Sequence, residues 1–238
     1  MKQQFLQFPK GKMKAITFSY DDGVIQDRRL VPLLDKYGLK ATFNLNSEWF
    51  GMHHVMIDRS IEFDHVKVEA DEVGELYVNH EVAVHTLTHE WLKKLSDKEI
   101  IRQVEQDRVN LSNLVGYEVV GMAYPYGSYD ERVEELIREN TGVKYCRTVE
   151  NTENFELQHN LLCFHPTIHE LEPNIKTYEI CEKFIEMDTD KPQLLYIWGH
   201  GYEMDFAGDR WDELERMFQL ISGRDDIFYG TNREVFGL

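Results

Sequence analysis

Cysteine is scarce. Cys146, Cys163 and Cys181 are the only three in 238 residues, an odd number with no CxxC pair. Neither a disulfide framework nor a zinc ribbon is indicated, and the three read as reduced, buried thiols. Basic residues are scarce too: 26 Lys and Arg stand against 43 Asp and Glu, a net charge of −17. Phosphate backbones and anionic membrane surfaces both reward clustered cations, whereas here acids and bases alternate along the chain. Nucleic acid and membrane are therefore not expected as partners, and a neutral or cationic one is. No stretch approaches the roughly 20 apolar residues of a membrane span, and Met1–Gly11 lacks the apolar core of a signal peptide. The expectation is a soluble, cytoplasmic protein. Also missing are a GxGxxG or GxxxxGK[ST] loop, so nucleotide cofactors are not implied, and a GxSxG elbow, which argues against a serine esterase. There is no repeat, low-complexity tract or Pro/Gly/Ser linker, so one domain over residues 1–238 is expected. A hydrophobic fraction of 42%, with 12% aromatics, supplies an ordinary globular core.

Short apolar, β-branched or aromatic runs alternate with segments of helical period, the pattern of parallel strands joined by helices. Strands are expected at Lys14–Tyr20, Ala41–Leu45, Glu81–His85, Val119–Tyr124, Lys144–Thr148, Gln193–Gly199 and, weakly, Asp226–Tyr229. Helices are expected near Asp27–Tyr37, Glu69–Val78, Asp97–Val115, Asp130–Asn140, Ile175–Met187 and Asp209–Ile221. Ser96 and Glu99 cap the third. Seven strands make an α/β fold with a closed or nearly closed barrel. His53–Lys67 and Glu150–Asn174 fit this rhythm badly and read as long loops.

Each polar cluster of interest follows the C-terminal end of an expected strand, where parallel α/β architectures build their sites. Thr17-Phe18-Ser19-Tyr20-Asp21-Asp22-Gly23 ends in adjacent carboxylates, which repel unless something positive holds them. Alone it reads equally as a solvated turn. In His85-Thr86-Leu87-Thr88-His89, imidazoles four apart on a helical turn would lie on one face, near enough to share a divalent ion. Ala123-Tyr124-Pro125-Tyr126-Gly127 is a sharp turn whose backbone donors suit an oxyanion. Leu194–His200 is a buried strand ending in a histidine beside glycine. Each has a bland reading, but four strand ends in this order make chance assembly a poor account.

On these residues the sequence resembles the polysaccharide deacetylase (NodB-homology) family, metal-dependent hydrolases that remove N- or O-acetyl groups from sugars. The family's TF-DDG motif corresponds to Thr17-Phe18-Ser19-Tyr20-Asp21-Asp22-Gly23, with two residues inserted, and H-[ST]-x-x-H to His85–His89. R-x-P-[YF]-G corresponds to Pro125-Tyr126-Gly127, with Ala123 in place of arginine. The last motif, a hydrophobic residue two before histidine, corresponds to Trp198 and His200, with tryptophan where leucine is usual. The family's Asp-aromatic motif has no counterpart in residues 149–174, which contain no aspartate.

The resemblance implies a distorted (β/α)7-like barrel in which Asp22, His85 and His89 hold a divalent ion, zinc first, with cobalt, nickel or manganese as alternatives. It implies Asp21 as general base, His200 as general acid, the Tyr126 amide beside Pro125 as oxyanion donor, and Trp198 lining a pocket for acetyl or smaller. Arg147, at the end of the next strand, is expected to replace the missing arginine beside Asp21. Glu150 and Glu153 are candidates, by position only, for the acid partner of His200. His165 is a candidate substrate contact and His169 reads as surface; His53, His54 and His159 carry no assigned chemistry. Trp49, Phe50, Tyr124, Tyr126 and Tyr202 could stack on a sugar or pack the core. The substrate implied is an acetylated carbohydrate. A small non-sugar amide is the alternative favoured by the absent leader, and a non-catalytic sugar binder the alternative raised by the two damaged motifs.

Overall fold

The computed structural model describes residues 7–58, 61–171, 174–206 and 208–238. Its strands are β1 (Lys14–Asp21), β2 (Ala41–Leu45), β3 (His53–Asp58), β4 (Ile61–Val66), β5 (Glu81–Val84), β6 (Gly121–Ala123), β7 (Tyr145–Arg147), β8 (Ile168–His169), β9 (Gln193–His200) and β10 (Ile227–Tyr229). The main sheet is parallel, in the order β7-β6-β5-β2-β1-β9-β8, curled into a half-barrel. β10 pairs with Lys14–Ile16 of β1, below the stretch Phe18–Asp21 that pairs with β2. The sheet path ends at β7 and β8, and an isolated parallel bridge joins Arg147 to Phe164 at the β7 edge.

Parallel strands covered on both faces read as continuous apolar runs, and all eight residues of β1 are buried. Their alternation decides what each side chain faces. Ile16, Phe18 and Tyr20 of β1, and Leu195 and Ile197 of β9, join the large core beneath the helices. Ala15, Leu194, Tyr145 and Tyr196 join a second cluster with Phe8, Val235 and Phe236, filling the base of the barrel. The same parity turns Ser19 and Asp21, Asn44, Trp198 and His200, and Arg147 to the inside. Asp21 pairs in register with Asn44 on one side and His200 on the other.

Helices fall close to the expected places, among them Asp27–Lys36, Glu131–Asn140, Asn174–Glu186 and Trp211–Ile221. Ser96 accepts from the Glu99 amide as its sequence implies. The helix it opens is continuous to Val115 but takes a π-helical form over Arg102–Gln106. Two expectations are corrected. His53–Lys67 is not a loop: β3 and β4 form an antiparallel hairpin, a small second sheet. Glu150–Asn174 contains β8 and a 3-10 turn at Leu161–Cys163, with Thr167 tied to β9 through Tyr196. No helix among the described residues is long and apolar enough to cross a membrane.

Candidate active site

Asp21 ends β1 and is buried to 3% exposure. Its Oδ2 is in contact with Nη2 of Arg147, and lies 3.8 Å from His85 Nε2 and 3.9 Å from His200 Nε2. Asn44 donates to its Oδ1 at 2.8 Å. Burial alone would raise the carboxyl pKa, but Arg147, His85 and His200 outweigh it and hold Asp21 below its ordinary value. Arg147 is fully buried, with its guanidinium 4.5 Å from the Trp198 ring. Its place follows from register: Ala123 and Arg147 are paired positions on β6 and β7, and so are Gly121 and Tyr145. A Cβ on Gly121 would sit 2.0 Å from the Tyr145 hydroxyl oxygen. Two small residues on β6 thus make room for two large ones on β7.

Asp22 follows at a left-handed φ of 83°. Its Oδ1 lies 3.1 Å from Lys67 Nζ and 3.7 Å from His89 Nε2, and its Oδ2 3.4 Å from His65 Nε2. Lys67 also donates to the Asp22 carbonyl at 2.6 Å. Against the cost of burial, the Lys67 ammonium first and then the His65 hydrogen bond hold the Asp22 carboxyl well below its ordinary value.

His85 and His89 do not lie on a helical turn. Thr86 and His89 take left-handed φ values of 65° and 52°, and this irregular turn sets the rings 4.8 Å apart at 64°. Asn46 holds the turn through the carbonyls of His85 and Thr86. Asp107, reaching from the helix, accepts from the Ser47 amide at 2.8 Å and the His85 amide at 3.2 Å. His85 Nδ1 meets the Ala123 carbonyl at 2.9 Å, which fixes Nε2 as the nitrogen facing the carboxylates. Burial lowers the pKa of both, that of His89 to about 3, so both are neutral imidazoles with a lone pair to give. Donor atoms of Asp22, His85 and His89 all lie within 4.8 Å of one another. One carboxylate and two neutral imidazoles in that space are a donor set that fits a divalent ion.

His200 ends β9. Glu203 Oε2 lies 3.1 Å from its Nδ1, accepts from its amide at 3.0 Å, and lies 3.4 Å from His169 Nε2. Burial would lower the His200 pKa, but Glu203 first, then Asp21 and Asp22, push it up to about 9. Glu203 is therefore the acid beside His200; Glu150 instead accepts from Tyr129, and Glu153 pairs with Lys176. His169 is not a surface residue: its ring meets Trp198 edge-on at 4.4 Å. Trp198 Nε1 donates to Asn151 at 2.9 Å.

These groups open on a cavity of about 580 Å³. Asp21, Asp22, His85, His89 and His200 are at its polar end, and Trp49, Tyr124, Tyr126, Val149, Trp198 and Tyr202 form much of its wall. His54, Val55, Met56 and His65 from the hairpin complete it. Two expectations change here, and Phe50 takes the core role of the two open to it. His165 does not line the cavity and bonds through Nδ1 to Thr148 at 2.7 Å. Pro125 is buried within the turn, Tyr126 alone of that pair reaching the cavity, and Phe50 packs on the core. Conversely, His54, His65, Lys67 and Glu203 enter the site without having been assigned to it. A buried lysine's pattern, Val66-Lys67-Val68, was the available signal for the third of them.

A curled parallel sheet thus carries two carboxylates, paired imidazoles and a histidine together at its strand ends, an α/β fold with one polar rim. The polysaccharide deacetylase family model matches residues 9–146, more than half of the chain, and the chain belongs to that family. No curated protein sequence matches it. Among solved structures it is similar to the Bc1960 peptidoglycan N-acetylglucosamine deacetylase, at 15% identity and TM-score 0.58 over 98% of this chain and 92% of that one. It is similar to BA3943, a CE4 family pseudoenzyme from Bacillus anthracis, at 17% identity and TM-score 0.56, covering 94% of this chain and 65% of that one. For the Streptococcus pyogenes deacetylase PplD the values are 19% and 0.51, covering 62% of this chain and 61% of that one. The chain thus spans less than two thirds of the length of the last two. At these identities the likeness is one of fold.

Proposed function

We propose that the chain is a divalent-metal hydrolase that removes an acyl group, acetyl or smaller, from an N- or O-acylated carbohydrate. The observation that carries this is the convergence of Asp21, Asp22, His85, His89 and His200 on one cavity, with Arg147 against Asp21. Asp22, His85 and His89 would hold the ion, with zinc suited to such ligands; when bound, it polarises the acyl carbonyl and acidifies water. Asp21, kept ionised by Arg147, takes the proton from the attacking water. The oxyanion that forms is met by the Tyr126 amide. His200, charged at neutral pH because of Glu203, hands its proton to the departing nitrogen or oxygen. Trp198, held by Asn151, Arg147 and His169, limits the acyl group to a small one.

Arg147 supplies, from one strand over, the guanidinium that the family carries at position 123. A protein of similar fold is a pseudoenzyme, so activity has to be measured and does not follow from the fold. A purely sugar-binding role has no use for a charged acid and a charged base set side by side, 3.9 Å apart, at one end of the cavity. The reading is tested by acetate release from acetylated sugars. Release should vanish in chelator, return with zinc or cobalt, and be lost in Asp21→Asn and His200→Ala. If those two variants release acetate at the parent rate, the assignment is wrong.

A further inference from the structure

The cavity is bounded on one side by the hairpin of β3 and β4. Its volume, about 580 Å³, falls within the roughly 300–1,000 Å³ typical of sites for one small molecule. Its lining comes from successive strand ends: Trp49 and Met56 after β2, His89 after β5, Tyr126 after β6, Val149 after β7 and Tyr202 after β9. The hairpin of β3 and β4 makes the decisive contact. Phe63 on β4 stacks on Tyr202 at 5.2 Å and 20°, so the hairpin, which leaves the barrel after β2, crosses the end of β1 to meet the loop after β9.

This wall is tied at its root. Val66 accepts from the Ile25 amide at 2.9 Å, Val68 donates to the Gly23 carbonyl at 3.0 Å, and Lys67 holds Asp22. A polymer lying across the site needs an entry and an exit, and the Phe63–Tyr202 contact stands on the side above Asp22. The walls are mainly aromatic and apolar, a surface suited to the C–H face of a sugar ring stacked against it.

We infer that the site takes a short acylated sugar end-on, about one or two rings in size, and rejects the interior of a polysaccharide chain. This rests on the hydrolase reading above. The test compares the full chain, loaded with zinc, on an acetylated disaccharide and an acetylated hexasaccharide. The disaccharide should be preferred by at least about tenfold in kcat/KM. Phe63→Ala, which removes the stacking on Tyr202 and lies outside the cavity lining, should narrow that ratio several-fold. Equal or better use of the hexasaccharide by the parent protein overturns the inference and leaves the hydrolase reading standing. Should neither sugar release acetate, the hydrolase reading fails, and quenching of Trp49 and Trp198 fluorescence decides the question of size alone. Tighter binding of the disaccharide then supports the bounded site, and equal binding of the two overturns it.

Discussion

Replacing Arg147 by methionine tests the electrostatic centre of the site. The guanidinium is fully buried against a carboxylate that is 3% exposed, and its Nη1 also donates to the Thr148 carbonyl at 3.0 Å. Removing Arg147 leaves the buried Asp21 carboxylate with only Asn44 and the more distant His200, a loss of up to about 3–5 kcal/mol; at about 2–4 °C per kcal/mol for a chain of this size, melting should fall by as much as roughly 6–20 °C. The sign with pH follows from the depressed Asp21 pKa. The pair's contribution is present above the unfolded carboxyl value of about 3.9 and is lost as pH falls through the lower folded one. The gap between parent and variant, read from denaturant midpoints, should be widest at neutral pH and close in acid. Arg147→Met with Asp21→Asn should lose less than the two singles added, because the double variant buries neither lone charge. A single-variant loss below about 1 kcal/mol, or strict additivity, would refute the reasoning.

Glu203→Gln removes the main group that raises His200, so the alkaline limb of kcat/KM should move from near pH 9 toward the ordinary histidine value of 6.5. The same variant loses stability mainly below pH 6.5, since a raised imidazolium pKa stabilises there and the effect fades as pH rises through about 9. Zinc at about 100 times its dissociation constant should add about 2.7 kcal/mol of stability, visible as a higher melting temperature in the parent protein and absent in His89→Ala. Gly121→Ala, whose new methyl would meet the Tyr145 hydroxyl oxygen at 2.0 Å, should cost about 1–3 kcal/mol by denaturant titration.

The barrel strands were legible because buried parallel strands leave unbroken apolar runs, and the main site because polar residues interrupt those runs at their ends. What escaped has a common cause. The hairpin's His53–Asp58 and Ile61–Val66 carry mixed polar and apolar residues with no turn dipeptide between them, so nothing local marked them as strands or placed His65 and Lys67 beside Asp22. Glu203 lies three residues beyond a strand end, where only the local fold after β9 returns it to His200. Thr86 is β-branched yet left-handed, against its own preference, and the HxxxH spacing alone gave the wrong local geometry for two histidines that the fold does bring together. Arg147 was readable in principle, since paired positions on neighbouring parallel strands face the same side.

The pairing of Ala123 with Arg147 has a historical implication. Putting arginine back at position 123 would crowd a second guanidinium into a space already taken, around the single carboxylate of Asp21. Losing Arg147 first would strand that carboxylate instead. Neither single substitution is comfortable, so the two positions are physically coupled. Lineages descended from this chain should keep or change the two positions together.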